Sequence, residues 1–189
     1  MTDSLHTIYA GAFKQLLRLL FAYEHRSQSW SLYKKIDRID ELLFHVQTPS
    51  TTQRRFRSIQ YISQYKASEY RCLFHFGIPV ILESMKENDS KNLLLSFITA
   101  INLASADYVT NETIEIVEKL LHYFVRRFQE IFGIRHMSSN IHSLLHVHES
   151  LKFVGPLWFY STFSFEGKNR VYSISEFYFT SLLQGLIRT

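Results

Sequence analysis

The sequence predicts an all-α fold, a single helical-bundle-like domain over residues 1–189 with a short extended segment near 157–165. Glycine and proline are scarce, with 6 and 3 copies, and this scarcity favours helices joined by short loops. Hydrophobic residues make up 46% of the chain and recur at helical spacing along most of it. At 189 residues, the chain has the length of one domain with a substantial core.

The first quarter of the chain predicts two amphipathic helices, over 5–24 and 31–46, followed by a polar basic linker at 51–60. Pro49 and its neighbours are expected to end the second helix. The apolar positions that recur near helical spacing are Ile8, Phe13, Leu16, Leu17, Leu20 and Tyr23 in the first helix, and Leu32, Ile36, Ile39, Leu43 and Val46 in the second.

The middle of the chain predicts three further elements. One begins near Ala67, and Gly77 and Pro79 are expected to kink or break it. A turn at 87–90 leads into the most apolar helix, 91–105, which we expect to be central. The "TNET" motif at 110–113 predicts a helix N-cap. Apolar residues from 114 to 131 then trace one face until Gly133.

The last third predicts a helix over 141–152, capped by Ser138, Ser139 or Asn140. The following "GPLWFYSTFSFE" reads as extended chain. The pattern over 171–188 fits a strand or a helix equally well.

The charge and cysteine content limit the environment and the partners. A net charge of +4 permits DNA as a partner without pointing to it. The single cysteine, Cys72, excludes an internal disulfide framework and predicts a reducing compartment, nucleus or cytoplasm. It lies in the apolar run "CLFHF", which favours a core position over a nucleophile. No apolar run has the roughly 20 residues that cross a bilayer, and the polar start does not read as a signal peptide. We therefore expect no membrane partner.

His142 and His146 are candidate metal ligands. Side chains four residues apart on a helix share a face, so both imidazoles can reach one divalent ion. A packing role is the simpler alternative, because a chain with nine histidines produces this spacing readily by chance.

Glu166 closes the aromatic run before "GKNR", a position where hydrolases and nucleic-acid enzymes hold a metal. It also fits a strand end or a helix start. The basic linker residues Arg54, Arg55 and Arg57 can contact phosphates, or lie in a solvated loop.

Three blocks together resemble CACTA-type DNA transposases. They are "DSLH" at 3–6 with a following glycine and amphipathic helix, "QYKASEYRCLFHFGIPVIL" at 64–82, and "FGIRHMSSNIHSLLHVHESLKFVGPLWFYSTFSFEGKN" at 132–169. The likeness covers nearly the whole chain up to about residue 169. The second and third blocks are the specific ones, because word order and spacing both hold over long stretches.

The resemblance implies an RNase H-like catalytic core in which two aspartates and a glutamate hold two divalent ions, Mg²⁺ or Mn²⁺. Asp3 matches the second aspartate and Glu166 matches the glutamate. His142 and His146 match a histidine pair that binds zinc with an upstream CxxC. Most of this chain then corresponds to a helical domain inserted between the second and third carboxylates. Lys168 and the three linker arginines, Arg54, Arg55 and Arg57, are its candidate DNA contacts.

The same likeness predicts that this chain does not cut DNA alone, because the first aspartate and the CxxC have no counterpart in it. We read it as a transposase-derived remnant or fragment, whose partners are DNA, a second copy, or the missing N-terminal transposase portion. One alternative is a helical protein-interaction module without a DNA role. Another is a stand-alone zinc hydrolase using His142, His146 and Glu166.

Overall fold

The computed structural model describes residues 4–48, 56–85 and 89–159, and every regular element within these ranges is helical. The all-α prediction is therefore confirmed for the described part of the chain. None of its helices combines the length and the apolar character that crossing a bilayer requires.

The first helix opens as a wide π-helical stretch, Ser4–Phe13, and continues directly into α1, Lys14–Phe21. It buries the apolar face that its periodicity predicted, with one exception. Ala22 takes an extended backbone (φ −71°, ψ 140°) and ends the helix, so Tyr23 lies in a separate 3₁₀ turn, Tyr23–His25, and is 58% exposed. The helix predicted over 5–24 therefore ends early, at Phe21, and the prediction that Tyr23 continues its apolar face is wrong.

The second predicted helix is shorter than its pattern suggested. A 3₁₀ turn, Tyr33–Lys35, leads into α2, Ile36–Phe44. The end of the predicted linker is structured rather than free: Ile59–Gln64 forms a 3₁₀-helix that buries Ile59. The carboxylate of Asp40 on α2 anchors this helix, because it accepts hydrogen bonds from the Ser58 hydroxyl and from the Ile59 N–H at 2.8 Å.

The predicted break at Gly77 and Pro79 takes the form of a helix irregularity. The element runs as α3, Ala67–Cys72, then a π-helical stretch, Leu73–Gly77, then α4, Ile78–Ser84. Pro79 has no N–H to donate, and the widened turn just before it accommodates this loss. Within that turn the Ile78 N–H bonds to the carbonyl five residues back.

Helices α5, Asp89–Ala104, and α6, Asn111–Phe132, pack along one another and form the centre of the fold. Thr110 caps α6, as predicted, because its hydroxyl accepts the Thr113 N–H. Gly133 (φ 89°) then ends the helix in a backbone conformation that favours glycine. The helix α5 starts two residues before its predicted boundary.

Aromatic rings join the first helix to this central pair. Phe13 contacts Phe74 with ring centroids 5.0 Å apart, Phe74 contacts Phe97 at 5.9 Å, and Phe97 stacks on Phe124 at 4.7 Å. Such contacts add to the stabilisation that burial of the rings already provides. The buried apolar side chains of the described residues form one cluster.

The extended segment predicted near 157–165 is wrong for its first residues. Helix α8, Val147–Val154, is followed by a turn in which the Pro156 carbonyl accepts the Phe159 N–H at 3.0 Å. Leu157 is buried, and its N–H donates to the carbonyl of Ala104 at 2.9 Å. The contact with α5 thus holds these residues in a turn, where the sequence predicted extended chain. Residues 160–165 and the ambiguous segment 171–188 lie outside the described residues.

Candidate functional site

The histidine pair lies where three short helical pieces follow one another. These are α7, Ser139–Ser143, a 3₁₀ turn, Leu144–His146, and α8, Val147–Val154. The Ser138 hydroxyl caps α7 by accepting the Ile141 N–H. His142 and His146 are both exposed, with ring centroids 5.8 Å apart. The prediction that the two histidine side chains lie on the same side of their helix is confirmed. The helix predicted over 141–152 is interrupted by the 3₁₀ turn Leu144–His146.

The two imidazoles could supply two metal ligands. Glu149 lies beside them on the exposed surface, with its Oε1 3.3 Å from Nδ1 of His146. No three histidine, cysteine or acidic side chains of the described residues converge in the way that a bound metal requires. Zinc ligation by His142 and His146 remains a prediction.

The helix that carries the histidines packs against the first helix at Gly11. A Cβ atom at residue 11 would lie 2.6 Å from the carbonyl oxygen of His6 and 2.7 Å from Cγ of Asn140. Both distances are far below van der Waals contact. Glycine is therefore what allows α7 and the first helix to approach so closely.

Gln15, on the first helix, also holds this helix against the segment that leads into α7. Its side-chain amide donates a hydrogen bond to the carbonyl of His136 and accepts one from the Ser138 hydroxyl. The residue that caps α7 is thus held directly by the first helix. The beginning of the chain and the histidine segment form one packed unit, although more than 100 residues separate them in sequence.

Several predicted site residues fall outside the described residues, so their positions are not part of this geometry: Asp3, Arg54, Arg55, Glu166 and Lys168.

Arg57 is described, and it makes contacts within the protein. Its guanidinium lies 3.5 Å from Oε1 of Glu69, reaches the carbonyl of Gln64 and stands 5.7 Å from the ring centre of Tyr65. These contacts tie the Ile59–Gln64 helix to α3. A phosphate contact by Arg57 would compete with them, so its assignment as a DNA-binding residue remains a prediction.

Cys72 is half-buried on α3, and the structure gives it no sign of activation. Burial, with Glu69 nearby, raises the pKa of the thiol to about 11. A thiol is nucleophilic only as the thiolate. The preference for a packing role over a nucleophile agrees with this environment.

Sequence reasoning missed a part-buried polar pair beside the aromatic core. Tyr9 Oη and Nε2 of His75 share a hydrogen bond of 2.9 Å. Burial and the positive charge of Arg71 lower the pKa of His75 to about 3, and burial raises that of Tyr9 to about 12. The available signal was a histidine within the apolar run "CLFHF", where a neutral ring needs a partner.

A second histidine cluster was also missed, between α6 and α8. His148 donates from Nδ1 to the carbonyl of Leu145 at 2.8 Å, and its Nε2 lies 3.7 Å from Oε1 of Glu118. His122 follows Glu118 by one helical turn, and its ring centroid is 6.5 Å from that of His148. The spacing of Glu118 and His122 was visible in the sequence, but their proximity to His148 depends on how the helices pack.

No protein-family model, no curated protein and no solved structure matches this chain. Its function is therefore inferred from its residues and from the geometry of its packed helices.

Proposed function

We propose that this chain is a transposase-derived helical domain, related to the CACTA-type DDE transposases, that binds DNA and does not cleave it by itself. The family likeness requires the start of the chain and the segment from the histidines to Glu166 to lie together. The close packing of the first helix on α7, at Gly11 and Gln15, supports this requirement.

The proposed lack of cleavage follows from the ligand count. Phosphodiester cleavage by paired metal ions needs carboxylates that hold both ions while the attacking and leaving oxygens are stabilised. Asp3 and Glu166 supply two of the three family carboxylates. With one ligand fewer, the pair of ions loses much of the several kcal/mol that it contributes to the transition state.

DNA binding is tested with a fluorescent duplex titrated with the full chain at several salt concentrations. Removing one cationic side chain that touches a phosphate reduces the slope of log affinity against log salt by about 0.9 on duplex DNA. We expect the Arg54→Ala/Arg55→Ala variant to lower that slope by about 2. The proposal would be contradicted if the chain bound no DNA at low salt, or if its affinity for DNA did not change with salt concentration.

Two single variants make this experiment specific. Arg126 is exposed on α6, away from the linker in sequence, so Arg126→Ala serves as the matched loss of one positive charge and should leave the slope nearly unchanged. Arg57→Ala is measured separately because it also removes the contact with Glu69. Its effect on DNA affinity is compared only after its folding has been checked by circular dichroism.

Cleavage is tested with supercoiled plasmid in Mg²⁺ or Mn²⁺. We expect no nicking by the chain alone. Nicking that disappears in Glu166→Ala would overturn the proposed inactivity and identify a working metal site.

A second candidate, a protein-interaction module, is favoured by exposed aromatic side chains on α8 and in the turn that follows it. Phe153 is 87% exposed, Trp158 50% and Phe159 67%. The rings of Trp158 and Phe159 contact each other, with centroids 5.9 Å apart. Aromatic surfaces of this kind occur at protein interfaces.

Sedimentation of the full chain distinguishes the two candidates. A dimer that withstands high salt and weakens in Phe153→Ser, while labelled DNA gives no shift, would favour the interaction module. A monomer that shifts DNA would favour the transposase-derived domain.

A further inference from the structure

The side of α1 that is not buried is basic. Within this helix the only side chains that are not buried are Lys14, Gln15 and Arg18, and the helix contains no acidic residue. Gln15 already bonds to the segment that leads into α7. Lys14 and Arg18 are four residues apart, so they are neighbours on one face of the helix. Neither the family likeness nor the sequence patterns assigned this face a role.

Neither Lys14 nor Arg18 has an ion-pair partner among the described residues. The ammonium of Lys14 lies 5.8 Å from the ring centre of Tyr70, and no described carboxylate reaches it or the guanidinium of Arg18. Two positive charges one helical turn apart repel each other. An anion bound between them would relieve this repulsion, because it would attract both side chains at once.

The charge of Arg18 acts on the same tyrosine that lies under Lys14. Burial raises the pKa of Tyr70 to about 12, and the positive charge of Arg18 opposes that rise. Glu69 is the acidic group near this ring, but its side chain is only 13% exposed. Its carboxylate accepts the Lys66 N–H at 2.7 Å and lies 3.5 Å from the guanidinium of Arg57. Glu69 is therefore bound within its own helix and to the linker, and it forms no ion pair with α1.

Two tyrosine rings connect α1 to the end of the basic linker. The helix α1 packs on the Ile59–Gln64 helix, which begins two residues after Arg57. The guanidinium of Arg57 is 5.7 Å from the ring centre of Tyr65, and that ring is 5.5 Å from the ring of Tyr70. Tyr70 is the ring under Lys14. Three consecutive contacts of less than 6 Å thus bring the end of the linker close to the basic side of α1.

We propose that Lys14 and Arg18 extend the phosphate-binding surface of the basic linker onto α1, and that this surface binds the backbone of duplex DNA. The inference rests on the proposed DNA binding and adds a second contact region to it. Cationic side chains on a helix position a phosphate backbone without reading its sequence. Tyr65 and Tyr70 are buried, so neither ring can stack on an unpaired base. We therefore expect binding that depends on charge and differs little between duplex sequences.

The full chain and its Lys14→Gln/Arg18→Gln variant are titrated into a fluorescent duplex at several salt concentrations. Glutamine removes the charge and keeps part of the apolar stem that packs on the protein. We expect the slope of log affinity against log salt to fall by about 2, and to fall equally on duplexes of different sequence. The matched control, Lys119→Gln/Arg126→Gln, removes two positive charges from exposed positions on α6 and should leave the slope nearly unchanged.

Arg18→Gln alone keeps the test valid if the double variant folds poorly. Arg18 is exposed and forms no ion pair with the described residues, so its loss should leave the circular dichroism unchanged and lower the slope by about 0.9. The inference is overturned if Arg18→Gln and the double variant keep the slope of the α6 control. If Arg54→Ala/Arg55→Ala still lowers the slope in that case, the proposed function stands without α1. A wild type that binds no DNA overturns both.

Discussion

At Gly11 the first helix and α7 approach so closely that a methyl group has no room. The nearest atom to an added Cβ is a backbone oxygen, that of His6, which cannot rotate away. The sequence showed this glycine inside an amphipathic helix but gave no reason for it. There are two reasons: the π-helical backbone brings the His6 carbonyl close to residue 11, and Asn140, far along the chain, packs against the same place. Only the packed structure reveals the second contact.

We expect Gly11→Ala to lower the free energy of unfolding by about 1–3 kcal/mol, because overpacking forces the backbone or its neighbours to shift. Urea denaturation measures the change. In the double variant Gly11→Ala/Asn140→Ala, part of the loss should return. A Gly11→Ala protein more stable than the wild type would show that helix propensity outweighs the close contact.

His75 makes stability depend on pH. Burial and the charge of Arg71 lower its pKa in the folded state to about 3, below the value of about 6.5 for an unfolded histidine. Between these two pKa values, the imidazole of His75 is protonated in the unfolded chain and neutral in the folded chain. The contribution of His75 is complete above about pH 6.5 and is lost as the pH falls towards 3, by up to about 1.4 kcal/mol per pH unit.

The test compares the wild type with His75→Gln by urea denaturation between pH 7 and pH 4. Other groups affect both proteins alike, so the difference between the two curves reports His75. We expect the stability of the variant to fall less steeply with decreasing pH. Parallel curves would contradict the assigned pKa shift.

Helices were predictable where a repeating apolar face and a capping residue act together. Helix α6 shows this best: Thr110 begins it, its buried face follows the predicted spacing, and Gly133 ends it. The π-helical stretches and the 3₁₀ turn Leu144–His146 were not predictable. They change the hydrogen-bond pattern of the backbone without changing which residues are apolar.

The N-cap of α6 should contribute measurably. Thr110 accepts the Thr113 N–H at 3.2 Å, and this satisfies one of the N–H groups that a helix start leaves free. Thr110→Ala should cost about 1 kcal/mol in the free energy of unfolding, whereas Thr110→Ser should retain most of the stability. Equal urea midpoints for Thr110→Ala and the wild type would mean that solvent replaces the cap.

At the scale of the molecule, composition and periodicity were enough to predict that the regular elements the structure describes are all helical, and spacing placed His142 and His146 on one side. The assembly was not predictable, because the aromatic contacts that join Phe13, Phe74 and Phe97 depend on three separate segments packing together. The same dependence hid the cluster of Glu118, His122 and His148. Local sequence patterns are enough to predict individual helices. A site made of residues from different helices can be recognised only once the packing of those helices is known.

The proposed relationship to the DDE transposases requires that Asp3 and Glu166 lie close together in the folded chain. Two carboxylates that serve one pair of metal ions, themselves about 3.5–4 Å apart, must lie close together. Asp3→Cys and Glu166→Cys, introduced together in a Cys72→Ser background, allow a short bis-maleimide reagent to test this. A Cys pair made from Asp3→Cys and Glu112→Cys, at the start of α6, is the control.

The predicted result is rapid intramolecular cross-linking of residues 3 and 166, detected by mass spectrometry, with little cross-linking in the control pair. Failure of the 3–166 pair to cross-link in a chain that retains its helical circular dichroism would contradict the account.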